Sequence, residues 1–256
     1  MAAQPASTDG SVDPAAVEAR LDRVDDPELD RSIVDLEYVE RVTIADGHVT
    51  VAFVLPTAWC SPAFAWMMAT GIRDEVGDID SVAGVTVSLL DHMHSEEITT
   101  GVNERRSFAE TFPDAESGVA AVRRKLDEKA RLARQHRAVE AFRDAGLQPA
   151  QIVDLTLGDL DFSMADGHVA VTVQDGSLTV TAPREPVEDY LEKARTIGLV
   201  TDPADRCFRD PDGDPIAVAE FDLVQHRMRA AAVNVRGQGT VCEGLHESRN
   251  RAQADD

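Results

Sequence analysis

Cys60 is the residue whose type and position are best suited to chemistry in this sequence. It stands in the segment 56–62, between the end of a predicted strand and the start of a predicted helix. Unpaired backbone N–H groups and the positive end of a helix dipole favour the thiolate form of a cysteine at such a place. A thiolate binds soft metals, including iron–sulfur clusters. A buried structural cysteine is the alternative, and it is the commoner fate of an isolated cysteine.

A second group of polar side chains, Asp91, His92 and His94, follows the third predicted strand. Imidazole and carboxylate groups at short spacing bind transition metals. If the end of this strand approaches the loop that carries Cys60, the four side chains form a mixed Cys/His/Asp metal site. The alternative is that they are polar loop residues at the end of a strand.

The other cysteines, Cys207 and Cys242, have no neighbours of ligand type, so we predict structural roles for both. His136, His168, His226 and His246 stand alone in the sequence and give no triad order. Three widely separated cysteines do not form a disulfide framework. There is also no signal peptide and no apolar run long enough to cross a membrane. We therefore expect a reduced, cytoplasmic protein with no membrane partner.

The elements that must position Cys60 begin with a helix, which Asp13 and Pro14 start. Apolar and polar residues then alternate on both sides of Asp46-Gly47, a pattern typical of a β-hairpin with a tight turn. Pro62 lies near the first turn of a second helix, and the apolar pattern at 82–89 predicts a third strand. The order helix, hairpin, helix, strand predicts an α+β domain with a mixed sheet, which we assign to residues 13–95.

The rest of the chain has a different character. Residues 1–12 are small and polar and are predicted to be a disordered tail. We predict a connector at 96–113 and a mainly helical C-terminal region at 114–256. Within that region, Asp166-Gly167 predicts the turn of a small β-hairpin. Gly237 and Gly239 predict a break in the last helix.

The charge of the chain limits its partners. The formal net charge is -22, spread along the whole sequence. Such a charge argues against nucleic-acid binding, which needs a basic surface. We interpret the acidic, lysine-poor composition as halophilic adaptation, because molar salt screens self-repulsion. An ordinary acidic protein, or one with a basic partner, is the alternative.

Four motifs in a fixed order carry a family resemblance. They are the segment 24–29, which contains Asp26-Pro27-Glu28, the segment 33–39, the hairpin turn at Asp46-Gly47, and Cys60 before a helix. Together they resemble the PaaD/SufT-type family of iron–sulfur cluster assembly factors, over about residues 17–91.

The sequence departs from this family pattern at three positions. Glu37 stands where the family usually has Gly, Pro56 replaces a Thr, and Ser61 separates Cys60 from Pro62. The segment 55–68, with Asp91-His92 and Phe108-Ala109-Glu110 downstream, is similar to a longer branch of the family. Members of that branch accompany soluble di-iron hydrocarbon monooxygenases.

The resemblance implies an accessory factor that is not an enzyme. Cys60 would hold or hand on a transient iron–sulfur cluster or iron. Asp26, Pro27 and Glu28 would shape a turn beside it, and Thr57 belongs to the motif of the cysteine loop. The implied partners are a client metalloenzyme or other cluster-assembly proteins, and the C-terminal region would dock the client or drive self-association into a homo-oligomer.

Two other functions remain open from the sequence. In the first, the protein is a non-metal-binding interaction module or chaperone for a di-iron monooxygenase, and Cys60 is buried and inert. In the second, His92 and His94 serve a metal-dependent hydrolase, but the sequence offers neither a recognisable third ligand nor a general base.

Overall fold

The computed structural model describes residues 12–115, 118–173 and 176–254. The chain forms two compact units, each described separately below. Unit 1 contains Met1–Arg123 and Gln238–Asp256, and unit 2 contains Arg124–Gly237. The predicted disordered tail at 1–12 lies outside the described residues except for Val12, which is buried in the core of unit 1.

Unit 1 begins with helix α1 (Pro14–Leu21), and the Asp13 carboxylate accepts a hydrogen bond from the Ala15 amide at its start. A pair of two-residue strands follows, β1 (Asp25–Asp26) and β2 (Arg31–Ser32). The predicted hairpin is confirmed as β3 (Val39–Ala45) and β4 (His48–Phe53). Asp46 and Gly47 both have positive φ, at 50° and 76°. That is the backbone of the tight turn that matches the twist of antiparallel strands.

Helix α2 (Pro62–Gly77) and strand β5 (Gly84–Leu89) complete the predicted order. Strand β5 pairs parallel to β4, and β4 pairs antiparallel to β3, so the sheet is mixed, as the sequence predicts. Helix α2 makes the crossover that a parallel pair requires. The main apolar side chains between helix and sheet are those of Val49, Val51, Phe53, Met68, Ile72 and Val87.

The segment predicted as a connector, 96–113, is structured. It contains most of helix α3 (Ser95–Asn103) and all of the short helix α4 (Phe108–Thr111). The Phe108 and Phe112 rings pack edge-on against the buried Trp66 ring, with centroids 5.7 and 6.4 Å from it. The difference from the prediction arises because these aromatic contacts join residues more than 40 positions apart and leave no local pattern.

Unit 2 contains most of helix α5 (Val119–Asp144), followed by α6 (Pro149–Asp154) and α7 (Arg184–Thr196). Its antiparallel sheet consists of β6 (Leu160–Asp161), β7 (His168–Val173) and β8 (Leu178–Pro183). Asp166-Gly167 lies in the loop between β6 and β7, and β8 extends the hairpin to three strands. Arg131 is fully buried and donates hydrogen bonds to Gln135 and to the carbonyl oxygens of Arg209 and Asp210.

The last helix, α8, runs without interruption from Phe221 to Ala254. The predicted break at Gly237 and Gly239 is therefore wrong. Glycine costs a helix interior only about 1 kcal/mol relative to alanine, which is too little to end a long helix that has packing partners. The consequence for the site is large, because Gln238–Asp256 belongs to unit 1.

The sheets with their surrounding helices make the fold α+β, as predicted. Among the residues that the structure describes, no helix is both long enough and apolar enough to cross a membrane.

Candidate functional site

The loop that carries Cys60 leaves the sheet after β4 and ends at the start of α2. Thr57 shapes it, because its hydroxyl accepts a hydrogen bond from the Trp59 amide at 3.2 Å and lies 3.5 Å from the Cys60 Sγ. The Cys60 amide donates to the Thr57 carbonyl at 3.4 Å. Cys60 is half-buried and packs against the apolar core of unit 1, with its thiol free of any disulfide.

His92 fixes this loop to the segment that follows β5. Its Nε2 lies 2.9 Å from the Cys60 carbonyl oxygen, and its Nδ1 accepts a hydrogen bond from the His94 amide at 3.1 Å. Because Nδ1 accepts, Nε2 carries the proton that is donated to Cys60. The Met93 amide donates to the Ala58 carbonyl at 3.0 Å, so the two segments are joined at two points.

Both ring nitrogens of His92 are therefore occupied by backbone groups. Burial lowers the pKa of His92 below its usual value of 6.5, against the opposing effect of the Cys60 carbonyl. The neutral imidazole holds the loop in place, and neither nitrogen has a lone pair directed at a metal in this arrangement.

The other two predicted ligands also have protein partners. The Asp91 carboxylate accepts a hydrogen bond from Arg249 at 2.5 Å, and the His94 Nδ1 lies 3.5 Å from a Glu97 carboxylate oxygen. Across the described ranges of the chain, no group of three or more His, Cys, Asp or Glu side chains is arranged to hold a metal ion. The structure thus brings His92 to Cys60 through the backbone carbonyl, and it does not assemble the mixed Cys/His/Asp site.

Asp26 organises the turn that contains Asp26-Pro27-Glu28. Its carboxylate accepts hydrogen bonds from the Glu28 and Leu29 amides at 2.8 and 3.2 Å, which is the geometry of an Asx turn. Its side chain is also hydrogen bonded to the buried Tyr38, whose pKa is raised mainly by burial and further by the negative charge of Asp26. Asp26 and Glu28 therefore shape a turn beside the core.

Glu37 has a left-handed backbone, with φ at 56°. This region is costly for residues with a Cβ and costs glycine little. The preference of the resembled family for glycine at this position has a direct physical reason, and this chain adopts the same backbone despite its glutamate.

The C-terminal part of α8 contributes contacts that the sequence reasoning missed. Gln238, Cys242, His246 and Arg249 follow one another at intervals of four, four and three, which places them on one helix face. Gln238 donates to the Glu28 carboxylate at 2.9 Å. This helical spacing was the available indication of a shared face, but it does not reveal which part of the chain the face contacts.

The same helix face reaches the segments around Cys60. The Arg249 guanidinium donates to the Leu55 carbonyl at 2.6 Å as well as to Asp91, so it joins the ends of β4 and β5. The His246 ring packs against the Tyr38 ring, with centroids 5.6 Å apart. Tyr38 also lies near Cys242 and Cys60, whose thiolate forms raise the pKa of its hydroxyl.

Two large apolar side chains are exposed next to Cys60. Trp59 is 76% exposed and Met93 is 52% exposed, on the two segments that the Ala58–Met93 hydrogen bond joins. Exposed aromatic and methionine side chains are enriched at protein interfaces. Their position offers a contact surface at the mouth of the cysteine loop.

Comparison with known proteins bears on the same part of the chain. Residues 14–89 match the family model described as iron-sulfur cluster assembly protein. The match runs from α1 to the end of β5 and includes the Asp26 turn, the hairpin and the Cys60 loop. It supports the assignment of this segment, under a third of the 256-residue chain, to that family. No curated protein and no solved structure matches the chain.

Proposed function

We propose that this protein is an accessory factor in iron–sulfur cluster or iron-centre assembly. Cys60 holds iron or a cluster transiently and hands it to a client metalloenzyme, so the metal is cargo and the protein is not an enzyme. The observation that carries the proposal is the match of residues 14–89 to the iron–sulfur cluster assembly family. The PaaD/SufT-type motifs and the likeness to the monooxygenase-associated branch suggest a di-iron monooxygenase as the client.

The position of Cys60 suits such a role. Cys60 is half-buried, and it stands two residues before the start of α2. Cys207, by contrast, is fully buried in unit 2. A carrier must release its cargo, and a site with few protein ligands exchanges metal more readily than a closed four-ligand site. Remaining ligands would then come from the client, from sulfide or from a second copy of the chain.

The test is the iron and sulfide content after anaerobic reconstitution of the purified protein. We expect the Cys60→Ser variant to retain less iron and sulfide than the original chain, because a hydroxyl is a poor ligand for a soft metal. Cys207→Ala is the matched control, since it removes a thiol from unit 2 and should load normally. Equal loading of the Cys60→Ser variant and the original chain would exclude Cys60 as a ligand.

Client maturation should be measured separately, because a factor can act without retaining a cluster. The exposed Trp59 and Met93 favour a second candidate function, an interaction module or chaperone in which the thiol plays no part. Alkylation of Cys60 across a range of pH separates the two. Ready modification near neutral pH supports the carrier, whereas an unreactive thiol supports the interaction module.

A further inference from the structure

His246 is buried in a way that its protein neighbours do not explain. Its side chain is only 7% exposed, and neither ring nitrogen has a hydrogen-bond partner among the residues that the structure describes. Buried polar groups are satisfied in about 90% of cases or more, and an unsatisfied one costs about 1–3 kcal/mol. The imidazole packs against the Tyr38 ring at a tilt of 58°, and this contact supplies neither nitrogen with a hydrogen bond.

Cys242 lies one helical turn before His246, on the same face of α8. Both side chains line a cavity of about 160 Å³ in unit 1, next to Tyr38. Water in the liquid occupies about 30 Å³ per molecule, so the cavity has room for an ion with a few waters.

The charges around this cavity favour a cation. The carboxylates of Asp35, Glu37 and Glu247 line it together with the guanidinium of Arg31, and all four residues are exposed. Three negative groups against one positive group leave a net negative lining.

We propose that Cys242 and His246 form a two-ligand site for a soft divalent transition metal, of the class that includes Fe²⁺, Co²⁺ and Zn²⁺. Two ligand side chains at i and i+4 lie on one helix face and can bind one metal ion. A thiolate sulfur and an imidazole nitrogen are the ligands that such metals prefer. On binding, Cys242 releases its thiol proton to solvent, and the neutral imidazole donates a nitrogen lone pair.

The site is an open one. No third protein ligand stands within reach of the pair in the described parts of the chain, so waters in the cavity complete the coordination. An open site exchanges its metal more easily than a closed one. The two proposed ligands lie on a helix segment that the match to residues 14–89 does not include, although residues 31 and 35–38 of that match also line the cavity.

The α8 site adds to the proposed function and depends on it only for the statement that the bound metal is iron. If the protein carries iron, the pair on α8 is a second binding point close to the Cys60 loop. The physical claim that these two side chains bind a metal stands independently of Cys60.

The experiment is an anaerobic titration of the full chain with Co²⁺, followed by the thiolate-to-cobalt absorption in the near ultraviolet. We expect binding by the original chain and by the Cys60→Ser variant. Cys242→Ser and His246→Gln should each weaken Co²⁺ binding at least about tenfold, since losing even an outer-shell partner costs about 10–100-fold. In the Cys60→Ser background, Cys242→Ser should also remove the thiolate absorption.

Matched controls remove the same chemical groups elsewhere. Cys207→Ala and His168→Ala, both in unit 2, should bind Co²⁺ as the original chain does.

If a variant at position 242 or 246 fails to fold, a second experiment on the original chain tests the site. Zn²⁺ should then slow the alkylation of Cys242, measured on the peptide by mass spectrometry, and an unchanged rate would overturn the proposal.

The remaining outcomes separate this proposal from the function above. Co²⁺ binding that survives Cys242→Ser and His246→Gln but is lost in Cys60→Ser overturns the α8 site and leaves the carrier function intact. Loss of Co²⁺ binding in the α8 variants, with iron loading unaffected by Cys60→Ser, supports the α8 site and contradicts Cys60 as the carrier. No Co²⁺ binding by the original chain overturns the α8 site.

Discussion

At the scale of single residues, His92 shows how a side chain of ligand type can serve the backbone instead. Its two nitrogens contact the Cys60 carbonyl oxygen and the His94 amide, which fixes the loop around the thiol. The sequence predicts it as a possible metal ligand because it stands next to Asp91 and near His94. What decides its role is the hydrogen bond to a residue 32 positions away.

This role makes the stability of unit 1 depend on pH through His92. Burial holds the pKa of His92 below its usual 6.5, so the folded protein keeps the ring neutral while the unfolded chain becomes protonated. The stabilising contribution is complete above about pH 6.5 and is lost as pH falls through the lowered pKa. We expect His92→Gln to flatten the decline in stability between about pH 7.5 and 5.5.

Tryptophan fluorescence during urea unfolding measures this effect for unit 1, because both tryptophans of the chain, Trp59 and Trp66, lie there. His168→Gln is the control, since it removes an exposed imidazole from unit 2. If the free energy of unfolding falls with pH as steeply in His92→Gln as in the original chain, His92 is not the source of the pH dependence.

At the scale of elements, α8 is the largest departure from the sequence-based expectation. The predicted break at Gly237 and Gly239 would have ended the helix before the residues that belong to unit 1. Instead the helix continues, and Gln238, His246 and Arg249 contact the Asp26 turn, Tyr38 and the strand ends.

If α8 is continuous, replacing a glycine in its interior with alanine should stabilise the helix. A Cβ placed on Gly239 meets no described atom within 4 Å, so Gly239→Ala should raise the free energy of unfolding by about 1 kcal/mol. Urea unfolding and the hydrogen exchange of α8 amides measure the change. A break at this glycine would make the substitution neutral or destabilising.

Gly101 in α3 provides the opposite case in the same unit. A Cβ there would lie 2.5 Å from the Thr111 hydroxyl oxygen and 2.9 Å from the buried Trp66 ring. We expect Gly101→Ala to destabilise unit 1 by roughly 1–3 kcal/mol, the usual cost of overpacking. If both alanine variants changed stability in the same direction, the packing described around Trp66 or the course of α8 would be wrong.

At the scale of the whole molecule, the net charge of -22 predicts that the stability of the fold depends on salt. Like charges at such density repel each other in the compact state, and salt shortens the range of that repulsion. The Debye length falls from about 10 Å at 0.1 M salt to about 3 Å at 1 M. Halophilic adaptation remains a prediction from the composition.

The prediction is that the melting temperature at pH 7 rises by several degrees between about 0.1 and 2 M KCl, because screening relieves self-repulsion. Differential scanning calorimetry measures the shift. The control is the same titration near pH 4.6, the isoelectric point, where the net charge is close to zero and the shift should be much smaller. A melting temperature that does not respond to KCl at pH 7 would argue for an ordinary acidic protein.

The sequence by itself determined the elements of the N-terminal domain. The Asp46-Gly47 turn, the alternating strands and Pro62 before α2 are local features, and neighbouring residues are enough to specify them. It also placed Cys60 at a helix start and indicated the family that the match to residues 14–89 supports.

Only the tertiary structure decided what surrounds that cysteine. The bond from His92 to the Cys60 carbonyl and the contact of Arg249 with Leu55, 194 positions away, join segments that share no local pattern. Local chemistry specifies turns and helix ends, whereas such pairings depend on how the whole chain packs. The environment of Cys60, including the helix face that carries Cys242 and His246, is therefore a property of the folded unit.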